Sequence, residues 1–258
     1  MSEYSIYAAR YAGPFAVFSG YLVWQWDMAA SQFERESWYL WCIRDEHQTV
    51  VVDTGADPAM TLERKRSPLF ENPANVLGRL GVDAGQVEHV VLTHLHWDHA
   101  GGVRLFPRAT FYVQAAEFRF WTADPIAARP PFANLADPAS LEYLTSLEGT
   151  ERLVLIDGDA QILPGIECLL APGHTPGIQA VAVDTARGRA ILGSDCAHVF
   201  RNIQHDWPSA FSMDLAACLR SFDRLRAKAS AQELIFPGHD VLMHDNYPLV
   251  ADGVTQLV

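Results

Sequence analysis

The chain has 258 residues, 49% of them hydrophobic, enough for one domain over residues 1–258 with a sizeable core. Its formal net charge of −12, from 31 acidic and 19 basic residues, argues against nucleic acid as a partner, because nucleic-acid binders present basic surfaces. No run of 18 apolar residues is available to span a membrane, and Met1-Ser2-Glu3-Tyr4 lacks the features of a secretory signal, so a cytoplasmic protein is expected.

Taken in chain order, residues 4–9, 14–23, 37–44 and 49–53 read as strands, the last nearly all valine. Trp24, Trp26 and Met28 form a dense apolar cluster that Phe70 can join. Arg64-Lys65-Arg66 is the densest basic run and reads as a solvated face. Asn72-Pro73 starts a helix, with Asn as N-cap and Pro in the first turn. Val76, Leu77 and Leu80 give it one apolar face, and Gly81 stops it. Val90-Val91-Leu92 is a buried strand that runs into Thr93-His94-Leu95-His96-Trp97-Asp98-His99, and Ala100-Gly101-Gly102 turns the backbone afterwards. The Pro- and Ala-rich segment from Trp121 to Ser140 reads as a surface excursion bordering the active site. Ser212 can cap a helix reaching about Lys228, with Leu215, Leu219, Phe222 and Leu225 as its apolar stripe and Asp214 in its first turn.

Three imidazoles and a carboxylate within six residues match the donors that zinc and similar ions prefer. Further candidates follow strand-like runs: His174 after Ile166 to Leu170, Asp195 after Ala190-Ile191-Leu192, and His239 after Leu234-Ile235-Phe236. Each sits in a turn defined by Gly or Pro, and strand ends can converge on one sheet edge. Seven candidates (His94, His96, Asp98, His99, His174, Asp195 and His239) exceed the needs of one tetrahedral ion. They suit two divalent ions sharing one carboxylate. The cysteines Cys42, Cys168, Cys196 and Cys218 lack paired spacing and are expected to be reduced, with Cys196 a buried structural thiol beside Asp195.

From Thr49 to Asp240 the chain resembles the metallo-β-lactamase superfamily, with Val52-Asp53-Thr54-Gly55, His94-Leu95-His96-Trp97-Asp98-His99, His174, Asp195 and His239 in that family's order. The resemblance implies an α+β fold, an αββα sandwich of two mixed sheets flanked by helices. It implies that His94, His96 and His174 hold a first metal, Asp98, His99 and His239 a second, and that Asp195 bridges them. Asp53 would brace the ligand loop without touching metal.

Among the branches of that family, the N-acyl homoserine lactonase-like one is the best match in size, in the His174-Thr175-Pro176-Gly177 turn and in the short tail after His239. The expected activity is hydrolysis of a lactone, or a related ester or amide, by a hydroxide shared between two ions, zinc by default. Asp98 would also pass a proton to the leaving group. The branch usually carries a tyrosine three residues after the bridging aspartate, where this chain has His198, an imidazole able to donate a hydrogen bond or move a proton. Trp97, Trp24, Trp26, Met28 and Phe70 are candidate pocket residues for a small neutral or apolar carbonyl substrate. His205 and His244 are weaker pocket candidates. A glyoxalase II-like thioesterase, a cyclic amide hydrolase and a non-catalytic regulatory member are the alternatives, and the aromatic N-terminal region is compatible with a homodimer.

Overall fold

The computed structural model describes residues 3–24, 33–59 and 70–258. The strands are β1 (Ser5–Phe18), β2 (Phe33–Arg44), β3 (Thr49–Val52), β4 (His89–Val91), β5 (Thr110–Gln114), β6 (Leu153–Ile156), β7 (Ala160–Leu163), β8 (Ile166–Leu170), β9 (Gln179–Thr185), β10 (Gly188–Ser194), β11 (Ile235–Pro237), β12 (Leu249–Ala251) and β13 (Val254–Gln256). Among the described residues they form an eight-stranded sheet in the order β12-β13-β1-β2-β3-β4-β5-β6 and a five-stranded sheet in the order β11-β10-β9-β8-β7. Both sheets are mixed: β3 to β6 run parallel and β10 pairs parallel with β11, while the rest pair antiparallel.

Side-chain alternation along the strands explains the layering. Val50, Val52 and Val91 of the large sheet pack with Val181, Val183, Leu192 and Phe236 of the small one, which makes the central layer. Their neighbours point outward. Val51, Val90, Phe111 and Val113 pack under α1 (Pro73–Gly78), α2 (Ala115–Ala123) and α3 (Pro138–Ser146). Ala180, Ala182 and Ile191 pack under α4 (Leu215–Lys228). With both faces of each sheet covered, the central strands read as continuous apolar runs, as Val50-Val51-Val52 does. The result is the expected α+β sandwich of helix, sheet, sheet and helix.

Several boundaries differ from expectation. The second strand expected over 14–23 ends at Phe18 and gives way to a helical turn, Ser19–Leu22. Asn72 caps α1 as expected, accepting from Ala74 N at 3.0 Å. The cap of α4 is Asp214, which accepts from Ala217 N at 2.9 Å, in place of Ser212. The helix starts two residues later than expected, and its stripe turns with it: Cys218, Phe222 and Leu225 are buried, while Leu219 is exposed. The run Arg64-Lys65-Arg66 lies outside the described residues.

Candidate metal centre

The chemistry-bearing turns leave the carboxyl ends of β3, β4, β8, β10 and β11, where the two sheets meet. Gln179, fully buried at the start of β9, ties the sheets together there. Its backbone N–H donates to Thr93 O at 2.9 Å, and its side chain donates to Leu92 O at 2.8 Å. Asp53 and Ser194, on either side of the seam, hold left-handed backbone at φ 61° and 45°. Such strain in non-glycine residues persists where surrounding contacts over-determine it.

Those contacts are visible. Asp53 accepts from Thr93 N at 2.7 Å and lies 2.8 Å from both Thr93 Oγ1 and His99 Nδ1. Ser194 Oγ is 3.3 Å from the same carboxylate. The bond from Asp53 fixes the His99 tautomer and leaves Nε2 facing the site. His239 is held likewise, with Nδ1 3.2 Å from Ser37 O, and His94 by Nδ1 at 3.1 Å from Thr93 Oγ1.

All seven expected ligands come together. His94, His96 and His174 offer donor atoms within 4.8 Å of one another, and so do Asp98, His99 and His239. Asp195 lies between them. Its Oδ1 is 3.3 Å from His99 Nε2 and 3.0 Å from His239 Nε2, and its Oδ2 is 3.5 Å from His174 Nε2. Asp98 Oδ2 is 3.6 Å from His99 Nε2 and 3.9 Å from His239 Nε2. A cation fits this donor set. The Nε2 atoms of His94 and His96 are buried without a hydrogen-bond partner, and His96 Nδ1 faces His174 Nε2 at 3.0 Å. Buried polar atoms normally find partners, so these orphaned imidazole nitrogens fit a role as donors to a cation.

The two trios differ in charge without metal. Burial pushes the imidazoles of His94 and His174 well below their ordinary value, and that of His96 down to about 4. Burial also opposes protonation of His99 and His239. There the carboxylates of Asp195, and for His99 also Asp98 and Asp53, outweigh it and hold His99 well above its ordinary value and His239 at about 9. Burial pushes the Asp195 carboxyl up, but the imidazoles of His198, His239 and His99 outweigh it and hold the group well below the usual carboxylate range.

His198 joins this cluster. Its Nε2 lies 3.1 Å from Asp195 Oδ2, the oxygen that faces His174, and burial pushes its pKa down to about 4. The ring stacks on Phe211 at 5.8 Å and 16°. The ring of Trp97 meets Trp38 edge-on at 5.1 Å, and the backbone N–H of Trp97 donates to Leu135 O at 2.8 Å, so the segment between α2 and α3 does touch the ligand loop. Trp121 of that same stretch is buried against His96, 5.4 Å between ring centroids. Phe70 packs edge-on against Tyr11, whose hydroxyl donates to Asp98 O. Trp24 is at the surface, 41% exposed, and its carbonyl accepts from Trp207 Nε1. Trp26 and Met28 lie outside the described residues. His205 is exposed, and His244 lies beside Asp245 in no ligand cluster among the described residues. Cys196 is buried with Sγ toward Ala171 O at 3.7 Å, a structural thiol.

Sequence reasoning missed Tyr11, Ser194 and Phe211. Only Ser194 carried a signal, its place directly before Asp195 at a strand end. Gly238 is also required: a Cβ there would overlap the Asp195 carboxylate.

Comparison with known proteins agrees with this geometry. The profile of the family described as "Metallo-beta-lactamase superfamily" matches residues 36–239. The chain is 28% identical over 221 residues to an N-acyl homoserine lactonase of a Bacillus species, covering 78% of this chain and 81% of that protein. It is 29% identical over 165 residues to the N-acyl homoserine lactonase AttM of Rhizobium radiobacter, covering 62% and 61%. Among solved structures, an N-acyl homoserine lactone hydrolase with the product N-hexanoyl-L-homoserine at its catalytic metal centre superposes with a TM-score of 0.77 at 20% identity, over 97% of this chain and 98% of that one. The dizinc quorum-quenching lactonase AidC gives 0.65 at 21% identity, over 80% and 74%.

Proposed function

The chain belongs to the metallo-β-lactamase superfamily, and from that premise we propose that it is a dinuclear metal-dependent hydrolase that opens an N-acyl homoserine lactone or a closely related lactone or ester. The observation that carries this reading is the place of Asp195 between the two trios, with Oδ1 toward His99, Oδ2 toward His174, and His239 Nε2 at 3.0 Å and 3.2 Å from the two oxygens. His94, His96 and His174 would hold one ion, and Asp98, His99 and His239 the other. Zinc is the assignment best suited to a nitrogen- and oxygen-donor set of this kind. When bound, such a pair supplies Lewis acidity and a nucleophile drawn from water at neutral pH.

The protein's own groups have distinct tasks. Asp98 is the most accessible of the ligand carboxylates, its side chain 16% exposed against 3% for Asp195, so it is the one positioned to move a proton to the departing alkoxide. His198, neutral at physiological pH, donates through Nε2–H to Asp195 and holds that carboxylate in its bridging orientation while forming one wall of the site. Trp97 and the half-exposed Phe211 offer an apolar surface beside the metals, which favours a neutral substrate with an apolar substituent. The net charge of −12 disfavours polyanions.

The test is a substrate panel on zinc-loaded protein: N-hexanoyl and N-decanoyl homoserine lactones, aryl esters, a cyclic amide, S-lactoylglutathione and a cephalosporin. The lactones should come first, with kcat/KM above about 10⁴ M⁻¹s⁻¹. A thioester preference would replace this reading with a glyoxalase-like one, and inactivity on the whole panel would remove the assignment of a carbonyl hydrolase.

A further inference from the structure

Glu117 lies in the first turn of α2, and sequence alone would read it as a solvated acid favoured by the helix dipole. In the structure it points inward and is fully buried. Its Oε1 accepts from Leu95 N at 3.0 Å and from Trp121 Nε1 at 2.7 Å. Its Oε2 accepts from Thr175 Oγ1 at 2.6 Å and from Gly177 N at 3.1 Å. Three of these partners are N–H groups that can only donate, so both carboxyl oxygens act as acceptors; burial pushes the Glu117 carboxyl above its ordinary value, and the hydrogen bonds from Thr175, Leu95, Trp121 and Gly177 oppose that shift. A buried charge is tolerated only with such complete pairing.

The identity of the partners matters more than their number. Leu95 stands between His94 and His96, and Thr175 follows His174. One carboxylate therefore grips both loops that carry the first trio, one loop from each sheet. Trp121, its third partner, is also the ring packed against His96. The approach is close: a Cβ on Gly177 would overlap the backbone of Glu117. The hydrogen bonds of Glu117 go to none of the three imidazoles, and between the two loops it joins His96 Nδ1 and His174 Nε2 lie 3.0 Å apart.

We propose that Glu117 is a positioning residue that selectively controls the ion held by His94, His96 and His174, through the spacing of the two loops. This rests on the dinuclear reading of the site. The experiment measures stepwise zinc affinity by chelator competition, together with cobalt absorption spectra, for the wild type, Glu117→Gln, Thr175→Val and Thr175→Ser. Loss of a partner that orients ligands costs about 10–100-fold in metal affinity. Glu117→Gln should weaken one of the two ions by that factor and leave the other within about twofold. Thr175→Val should shift the same ion by less, and Thr175→Ser, which restores the hydroxyl, should return it to the wild-type value. Equal weakening of both ions with a lowered Tm would mean that Glu117 only supports the fold, and unchanged affinities would overturn the proposal outright. Should Glu117→Gln not fold, the Val and Ser pair at position 175 decides alone. A wild type that binds a single ion would instead overturn the dinuclear reading.

Discussion

The two halves of the candidate metal centre solve one problem in different ways. The half built from Asp98, His99 and His239 is fixed by direct bonds to its ligands: Asp53 to His99 Nδ1, and the Ser37 carbonyl to His239 Nδ1. The half built from His94, His96 and His174 has one such bond, between Thr93 Oγ1 and His94 Nδ1, and otherwise depends on the backbone, with Glu117 holding the loops around His96 and His174. The reason lies in topology. His99 sits in the short helical turn Trp97–Ala100 that follows β4, beside Asp53 at the end of the adjacent strand β3, so a short side chain reaches it. His96 and His174 come from different sheets, and no short side chain spans that gap. A longer one from a helix packed outside the sheet does.

The two halves meet at Asp195, and the strongest way to break the comparison is to remove it. Asp195→Ala should abolish turnover and lower the content of both ions by elemental analysis; full activity with one tightly held ion would refute the shared-carboxylate arrangement. His198 is next, because it holds the Asp195 oxygen on the His174 side. His198→Ala should lower kcat by roughly 10²–10⁴, the range for a lost acid–base or orienting group, while two ions stay bound. Metal loss in that variant would make His198 a ligand, and unchanged kinetics would make it structural.

Asp53→Asn sharpens the comparison from the other side. It should weaken the ion at Asp98, His99 and His239 by about 10–100-fold and the other by less, because Asp53 bonds His99 directly but reaches His94 only through Thr93. Stepwise chelator competition reads this directly, and parallel weakening of both ions would erase the distinction between the halves. The smallest signal is a proton count at pH 7. His94, His96 and His174 have lowered pKa values and are already neutral there, so loading their ion displaces none of their protons. His99 and His239 are raised, so loading the second ion should release more protons than loading the first. Titration calorimetry in buffers of different ionisation enthalpy measures the difference. Equal release from both steps would contradict the charge asymmetry, and the excess should vanish as the pH rises past the raised values.

Much of the site was legible in the chain because each ligand sits in a turn directly after an apolar run. His174, Asp195 and His239 follow runs that became β8, β10 and β11, and periodicity with Gly and Pro punctuation is a local signal. Asp53 was legible for the same reason. Glu117 was not, since an acid in a first helical turn is common and its burial depends on loops far along the chain. The α4 boundary slipped because Ser212 and Asp214 are both good caps and local propensity does not choose between them. Leu219 fell off the expected stripe for a related reason: a shift in where the helix begins and docks rotates which positions face the sheet. Trp24 and Phe70 illustrate the limit for pocket residues. Both are aromatic and near the right segments, but one is half exposed beside Trp207, and the other packs on Tyr11 behind the ligand loop.

The sequence by itself determined the donor set and the strand-end turns that present it, because each is written in residues a few positions apart, and the two-sheet sandwich was implied by the family resemblance that those motifs carry. The tertiary structure alone decided the spacing within and between the two trios, the charge asymmetry of the imidazoles and the inward turn of Glu117. Each of these depends on distances between residues some 20 to 140 positions apart, and such distances are set only when the two sheets pack face to face and exclude water from the seam.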